Sequence, residues 1–151
     1  MNKIIAVIAI FFLFQTISNA SNKNNILEKI KKINNISFSF IQTINGKDEK
    51  GNCVIQYPKR IFCKYEERIK KTLVSNGSSL VIKKGKQYFR YSIESTPFEY
   101  LLDKNFLINK INELEERVID NNLINFTIIE KDKEINIFFD NQSFDLIGWQ
   151  N

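Results

Sequence analysis

The sequence predicts an α+β fold in which a curled antiparallel sheet, an unclosed half-barrel, carries helices over its concave face. Three observations predict it. Segments that alternate apolar and polar residues follow one another from Ile36 to Ile93 and again from Leu123 to Trp149, with the period of two of half-buried strands. Short runs such as Asn45-Gly46-Lys47-Asp48, Asn76-Gly77-Ser78-Ser79 and Lys84-Gly85-Lys86 separate them and mark hairpin reversals rather than crossovers. Helical spacing of apolar residues recurs only around residues 25–33 and 96–111, too little helix to cover both faces of a long sheet that must twist and curl.

The chain opens on Met1-Asn2-Lys3, an apolar run from Ile4 to Phe14, and Ser18-Asn19-Ala20. A basic start, a short apolar core and small residues before a cleavage point read as a secretory signal peptide over residues 1–20, cut after Ala20. The run is shorter than the roughly 20 residues a membrane span needs, and the first Cys is Cys53, far from the cleavage point. A soluble, exported protein without a lipid anchor is expected. Residues 21–151, about 130 in all, are the size of one domain. Hydrophobic residues make up 43% of the chain, including 13 Phe, so a sizeable interior can form and disorder is excluded. The net charge of +5 comes from Lys scattered among Asp and Glu, which reads as a solvated surface and not as a nucleic-acid-binding patch.

After the leader, Asn25 is positioned to cap an amphipathic helix with Ile26, Leu27, Ile30 and Ile33 on one face and Lys29, Lys31 and Lys32 outward or near its C-terminal end. The first strand follows, with Ile36, Phe38, Phe40 and Gln42 on one side. Gly51 to Tyr57 is the second strand. Pro58 cannot donate to a ladder, so the chain turns around Pro58-Lys59-Arg60 and returns as Ile61 to Tyr65. Cys53 lies five residues before Pro58 and Cys63 five after it, so a turn centred there sets the thiols opposite one another. In an exported chain such a pair is most often a disulfide; the alternative is two small buried hydrophobes on neighbouring strands. With no His in the chain, two Cys cannot complete a zinc shell, and no metal is expected.

Three further strands run over Lys71–Ser75, Leu80–Lys83 and Tyr88–Ile93. Thr96-Pro97-Phe98-Glu99 then has the form of a capping box, Thr as N-cap, Pro at the first helical position, Glu at the third. Its helix extends through Tyr100-Leu101-Leu102 and Phe106-Leu107-Ile108 to Ile111, with Glu99 facing solvent. Strands return over Leu123–Glu130, Glu134–Asp140 and Phe144–Trp149, for about nine in all. Enzyme chemistry finds no purchase: no His base, no nucleophile elbow, and only five Gly, none in a phosphate-cradling loop. Glu113, Glu115 and Glu116 read as a solvated helix end. No catalytic residue and no cofactor are predicted.

The order helix, sheet, helix, sheet, together with Phe40-Ile41-Gln42, Gly51, Pro58, Tyr65, Leu73-Val74-Ser75-Asn76-Gly77 and Thr96-Pro97-Phe98 with Leu101-Leu102, resembles the LolA family of periplasmic lipoprotein carriers. The resemblance covers most of Asn25 to Trp149. It implies a carrier that takes lipoprotein acyl chains from an inner-membrane lipoprotein-releasing ABC transporter to an outer-membrane acceptor, working as a monomer in the periplasm. On that reading Phe40, Ile55, Tyr57, Ile61 and Tyr65 line the sheet side of a cargo cavity, while Ile30 and Leu101 belong to a helical lid. A periplasmic lipid- or protein-sensing half-barrel is the alternative. The chain departs from the family in two places. The family commonly carries an Arg before the Pro of the second hairpin that helps hold the lid shut, where this chain has Tyr57, with Arg60 beyond the turn. It also continues for several strands past the region matching Gly148-Trp149, whereas this sequence stops at Asn151, which reads as a truncation.

Overall fold

A computed structural model describes residues 21–66 and 70–150; the predicted leader lies outside the described residues. Helix α1 spans Asn22–Lys32. Its N-cap is Ser21, whose hydroxyl accepts from the Asn24 amide at 3.4 Å, and not Asn25, which lies inside the helix. Ser is as good a cap as Asn, and starting at Ser21 gains a turn. One face buries Ile26, Leu27 and Ile30.

Strands β1 (Asn35–Ile44), β2 (Lys47–Gln56), β3 (Arg60–Tyr65), β4 (Lys71–Asn76), β5 (Ser79–Lys84) and β6 (Gln87–Ser92) form a six-stranded antiparallel sheet in chain order. Asn45 and Gly46 reverse the first hairpin with φ of 50° and 73°, the two positive values a two-residue hairpin turn favours. The second turns through a cis Tyr57–Pro58 bond, followed by Lys59 at φ 59°. In this register Cys53 pairs with Cys63, their Cα atoms lie 4.1 Å apart, and a disulfide joins them. The loop it closes is short, so the stabilisation is about 2–3 kcal/mol. Gly51 sits opposite Phe40; a Cβ there would lie 2.5 Å from the Lys64 carbonyl and 2.8 Å from the Phe40 ring. Only glycine lets that ring lie flat across the strand.

The sheet gives way to a 3₁₀ turn at Ile93–Ser95, then α2 (Phe98–Leu101) and α3 (Lys104–Glu113). The expected capping box does not form. The Thr96 hydroxyl donates back to the Ile93 carbonyl at 2.8 Å, closing the 3₁₀ turn, and α2 has no side-chain cap. Nor does Glu99 face solvent: its side chain is only 18% exposed and pairs with Lys131 at 3.7 Å. The helix predicted to run on to Ile111 is interrupted after Leu101, because Asp103 accepts from the Phe106 amide at 3.0 Å and caps a new helix.

Strands β7 (Arg117–Ile119), β8 (Leu123–Glu130), β9 (Lys133–Asp140) and β10 (Leu146–Gln150) make a second antiparallel sheet ordered β10-β9-β8-β7. The short β7 is an addition to the predicted set. The architecture is thus the unclosed α+β half-barrel that the sequence predicts, its strands hydrogen-bonded in two groups. Among the described residues no helix is long and apolar enough to cross a membrane.

Two apolar clusters fill it. In one, Ile26 and Ile30 of α1 and Leu107 and Ile111 of α3 pack on Phe126 and Ile137 of the four-stranded sheet. The other gathers Cys53, Ile61, Leu73 and Leu80 of the six-stranded sheet under Ile93 and Leu102. Helix ends tie α1 to α3. At one end the Lys23 ammonium donates to the Leu114 carbonyl at 2.8 Å while the Lys23 amide donates to Glu116 at 2.7 Å; at the other, Lys104 donates to the Ile33 carbonyl at 3.1 Å. Cations meet helix C-termini and a carboxylate meets an N-terminus, each complementing the helix dipole. Glu116, expected in a solvated cluster, therefore docks α1.

Candidate functional site

The inward side chains of β1 are Phe38, Phe40 and Gln42, and the last residues of β10 lie across from them. Between these two edges opens a cleft of about 550 Å³, floored by Cys53, Ile61, Cys63, Tyr65 and Leu73. The disulfide is part of that floor. The Phe40 ring meets Tyr65 edge-on at 5.0 Å, a favoured aromatic arrangement. Polar groups gather beside Tyr65: Gln42 donates to Glu49 at 2.5 Å and to the Tyr65 hydroxyl at 3.4 Å. Lys71 pairs with Glu49 at 2.6 Å and stands 4.1 Å over the Tyr65 ring. The floor is apolar, while Ser39, Gln42, Thr43 and Gln150 make part of the rim polar; a concave volume of several hundred Å³ is large enough for a small-molecule site.

A second, narrower pocket of about 30 Å³, room for little more than one water, lies between the helices and the four-stranded sheet. Ile30, Leu101 and Leu107 come from the helices, Ile137 and Phe139 from the sheet, and Tyr57 from the cis-Pro turn. Burial pushes the Tyr57 phenol up to about 12, since the phenolate would lose its hydration there. Lys29 also lines the pocket; its ammonium pairs with Asp145 at 2.5 Å and donates to the Ser143 carbonyl at 2.7 Å. These bonds dock α1 on the loop between β9 and β10.

The residues expected to line one cargo cavity are divided. Phe40, Ile61 and Tyr65 line the cleft, whereas Ile30, Tyr57 and Leu101 line the narrower pocket. Ile55 lines neither; it is 2% exposed, within the core of the six-stranded sheet. The sequence reading passed over Trp149, the single side chain that lines both cavities among the described residues. Its position as the chain's sole Trp, at the end of an apolar strand, was the available signal.

The model of one protein family, described as outer membrane lipoprotein carrier protein LolA, matches residues 31–150. The chain belongs to the LolA family. No curated protein matches the sequence. The LolA match spans both sheets, all the helices after α1 and the lining of both cavities apart from Lys29 and Ile30. At the turn where the LolA family commonly has Arg before Pro, this chain makes its helix contacts one residue after the Pro. The Lys59 amide donates to the Leu102 carbonyl at 2.8 Å, and the Lys59 ammonium stands 3.6 Å from Asp103. Arg60 is exposed.

Proposed function

We propose that this chain is a periplasmic carrier that holds the acyl chains of lipoproteins in its open cleft and moves them from the inner to the outer membrane. The observation that carries the reading is a cleft of about 550 Å³ with an apolar floor and a mixed rim, in a chain that matches the lipoprotein carrier family over residues 31–150. Each methylene removed from water is worth about 0.8 kcal/mol, so a palmitoyl-length chain represents on the order of 10 kcal/mol of exposure that a soluble shuttle must hide. Release at the acceptor then requires that part of this energy be spent on opening the carrier. In this reading Phe40, Ile61 and Tyr65 contact cargo directly, Ile30, Tyr57 and Leu101 form the boundary between lid and sheet, and Ile55 supports the floor. The partners are a lipoprotein-releasing transporter on one side and an outer-membrane acceptor on the other.

Displacement of a fluorescent fatty acid tests the reading. Phe40→Asp places a charge on the cleft wall and should weaken probe binding at least roughly tenfold. Ile129→Asp is the control, on a side chain 71% exposed on the other sheet, and should leave binding unchanged. Equal binding by the two variants, or a folded wild-type chain that never takes up the probe, favours a protein-binding half-barrel instead.

A further inference from the structure

Trp149 owes its position to a local irregularity. Leu146 pairs with Phe139 and Gly148 with Phe138, so Ile147 is an extra residue in the β10–β9 ladder. A bulge of this kind turns the side chains beyond it by one position, which is why Leu146 and Trp149, three apart, both pack against the core beneath the helices. Beyond the bulge the indole meets two rings edge-on, Phe38 of β1 at 6.2 Å and Phe98, at the start of α2, at 6.0 Å. Trp149 thus lines both the cleft and the narrower pocket, while the two rings it meets, Phe38 and Phe98, line the cleft.

We infer that Trp149 is a movable partition, and that the far end of a long saturated acyl chain lying in the cleft displaces its ring and enters the pocket beneath α1 and α3. The inference rests on the carrier reading and adds a residue that discriminates by chain length. The edge contacts to Phe38 and Phe98 are individually weak, less than a few buried methylenes return. The space beyond is apolar, walled by Ile30, Leu101 and Phe139, and its volume of about 30 Å³ has to widen as the chain enters. A short acyl chain fits in the cleft alone and leaves the ring in place.

Because Trp149 is the only tryptophan, its emission reports on the partition directly. Two measurements are made on the full mature chain: quenching of that emission by a dibrominated stearate, and affinities for octanoate and palmitate by displacement of a fluorescent fatty acid. Bromines carried past the indole should extinguish most of its emission. Trp149→Ala should bind palmitate about tenfold more tightly than wild type, the equivalent of the two ring contacts no longer broken, and octanoate equally. Absence of quenching, with palmitate affinity the same in both proteins, makes Trp149 a fixed wall and overturns the inference while leaving the carrier reading intact. Failure of the folded wild type to bind any of the fatty acids overturns both. Should Trp149→Ala not fold, quenching of the wild-type protein decides alone.

Discussion

On the four-stranded sheet the inward residues Ile124, Phe126, Ile135 and Ile137 are no more than 1% exposed, whereas Phe38 and Phe40, which hold the equivalent inward positions on β1, are only half-buried. Both stretches alternate apolar and polar residues. What differs is the covering layer. Helices α1 and α3, locked together at both ends by Lys23, Glu116 and Lys104, lie on the four-stranded sheet and leave a pocket of about 30 Å³. The six-stranded sheet is covered by Ile93, Phe98 and Leu102 and touched at its β1 edge by Trp149, and beside them about 550 Å³ stays open. The four-stranded sheet is therefore fully covered, whereas on the six-stranded sheet the edge strand β1 is covered only in part, and in the carrier reading the space beside β1 is where cargo binds without first unfolding anything.

The largest effect expected from that contrast is on stability. Phe126→Ala removes a fully buried ring, packed edge-on against Phe139 at 6.0 Å, and should cost about 3–5 kcal/mol in urea unfolding. Phe40→Ala, on the cleft wall, should cost no more than about half as much. Equal costs would mean that the cleft is energetically part of a closed core, and the contrast between the sheets would collapse.

A pH titration sharpens the same boundary at Tyr57, which borders the narrower pocket. Its phenol is pushed up to about 12, above the value of about 10 it has when unfolded. A raised pKa contributes stability that is fully present below the unfolded value and is lost as pH rises through the folded one. Unfolding free energy should therefore fall between about pH 10 and pH 12, by an amount on the order of 2–3 kcal/mol. Tyr57→Phe should shrink that alkaline loss, leaving the share of Tyr100, whose phenol burial also pushes up, and should leave neutral stability nearly unchanged. A loss of undiminished size in Tyr57→Phe would assign it to other groups and leave the pocket side of Tyr57 open to water.

Much of this layout is legible in the sequence, because hairpins are local. Alternation, Asn-Gly and Lys-Asp turns, and the even spacing of Cys53 and Cys63 about Pro58 define strands and register without reference to anything distant. What escapes is decided between neighbours in space. Thr96 and Glu99 have the spacing of a capping box, but the Ile93 carbonyl takes the Thr96 hydroxyl and Lys131 takes the Glu99 carboxylate. Asp103 sits in an apolar helical run and breaks it by capping the next helix; an Asp three residues before Phe106 was a visible sign. For the site, the family resemblance implied Phe40, Ile61 and Tyr65 as residues of one cavity with Ile55 and Tyr57, and of these five the cleft is lined by Phe40, Ile61 and Tyr65 alone. Trp149 depends on a bulge at Ile147, which no periodicity reveals.

The smallest effect concerns the seam between the two halves, where the cis-Pro turn of the six-stranded sheet touches the junction of α2 and α3. Two contacts run through Lys59: its amide to the Leu102 carbonyl at 2.8 Å, and its ammonium to Asp103 at 3.6 Å. The ion pair is between side chains 38% and 33% exposed, so solvent screens it and Lys59→Ala should cost no more than about 0.5 kcal/mol. Asp103→Ala removes the cap of α3 as well and should cost about 1 kcal/mol. In a double-mutant cycle by urea unfolding the coupling should be near zero, because the backbone bond to Leu102 survives both changes. A coupling above about 1 kcal/mol would show that the Lys59 ammonium itself holds the helices to the turn. The seam would then be a charged latch responsive to salt, whereas a backbone hinge would ignore salt, so repeating the cycle at high ionic strength tells the two apart.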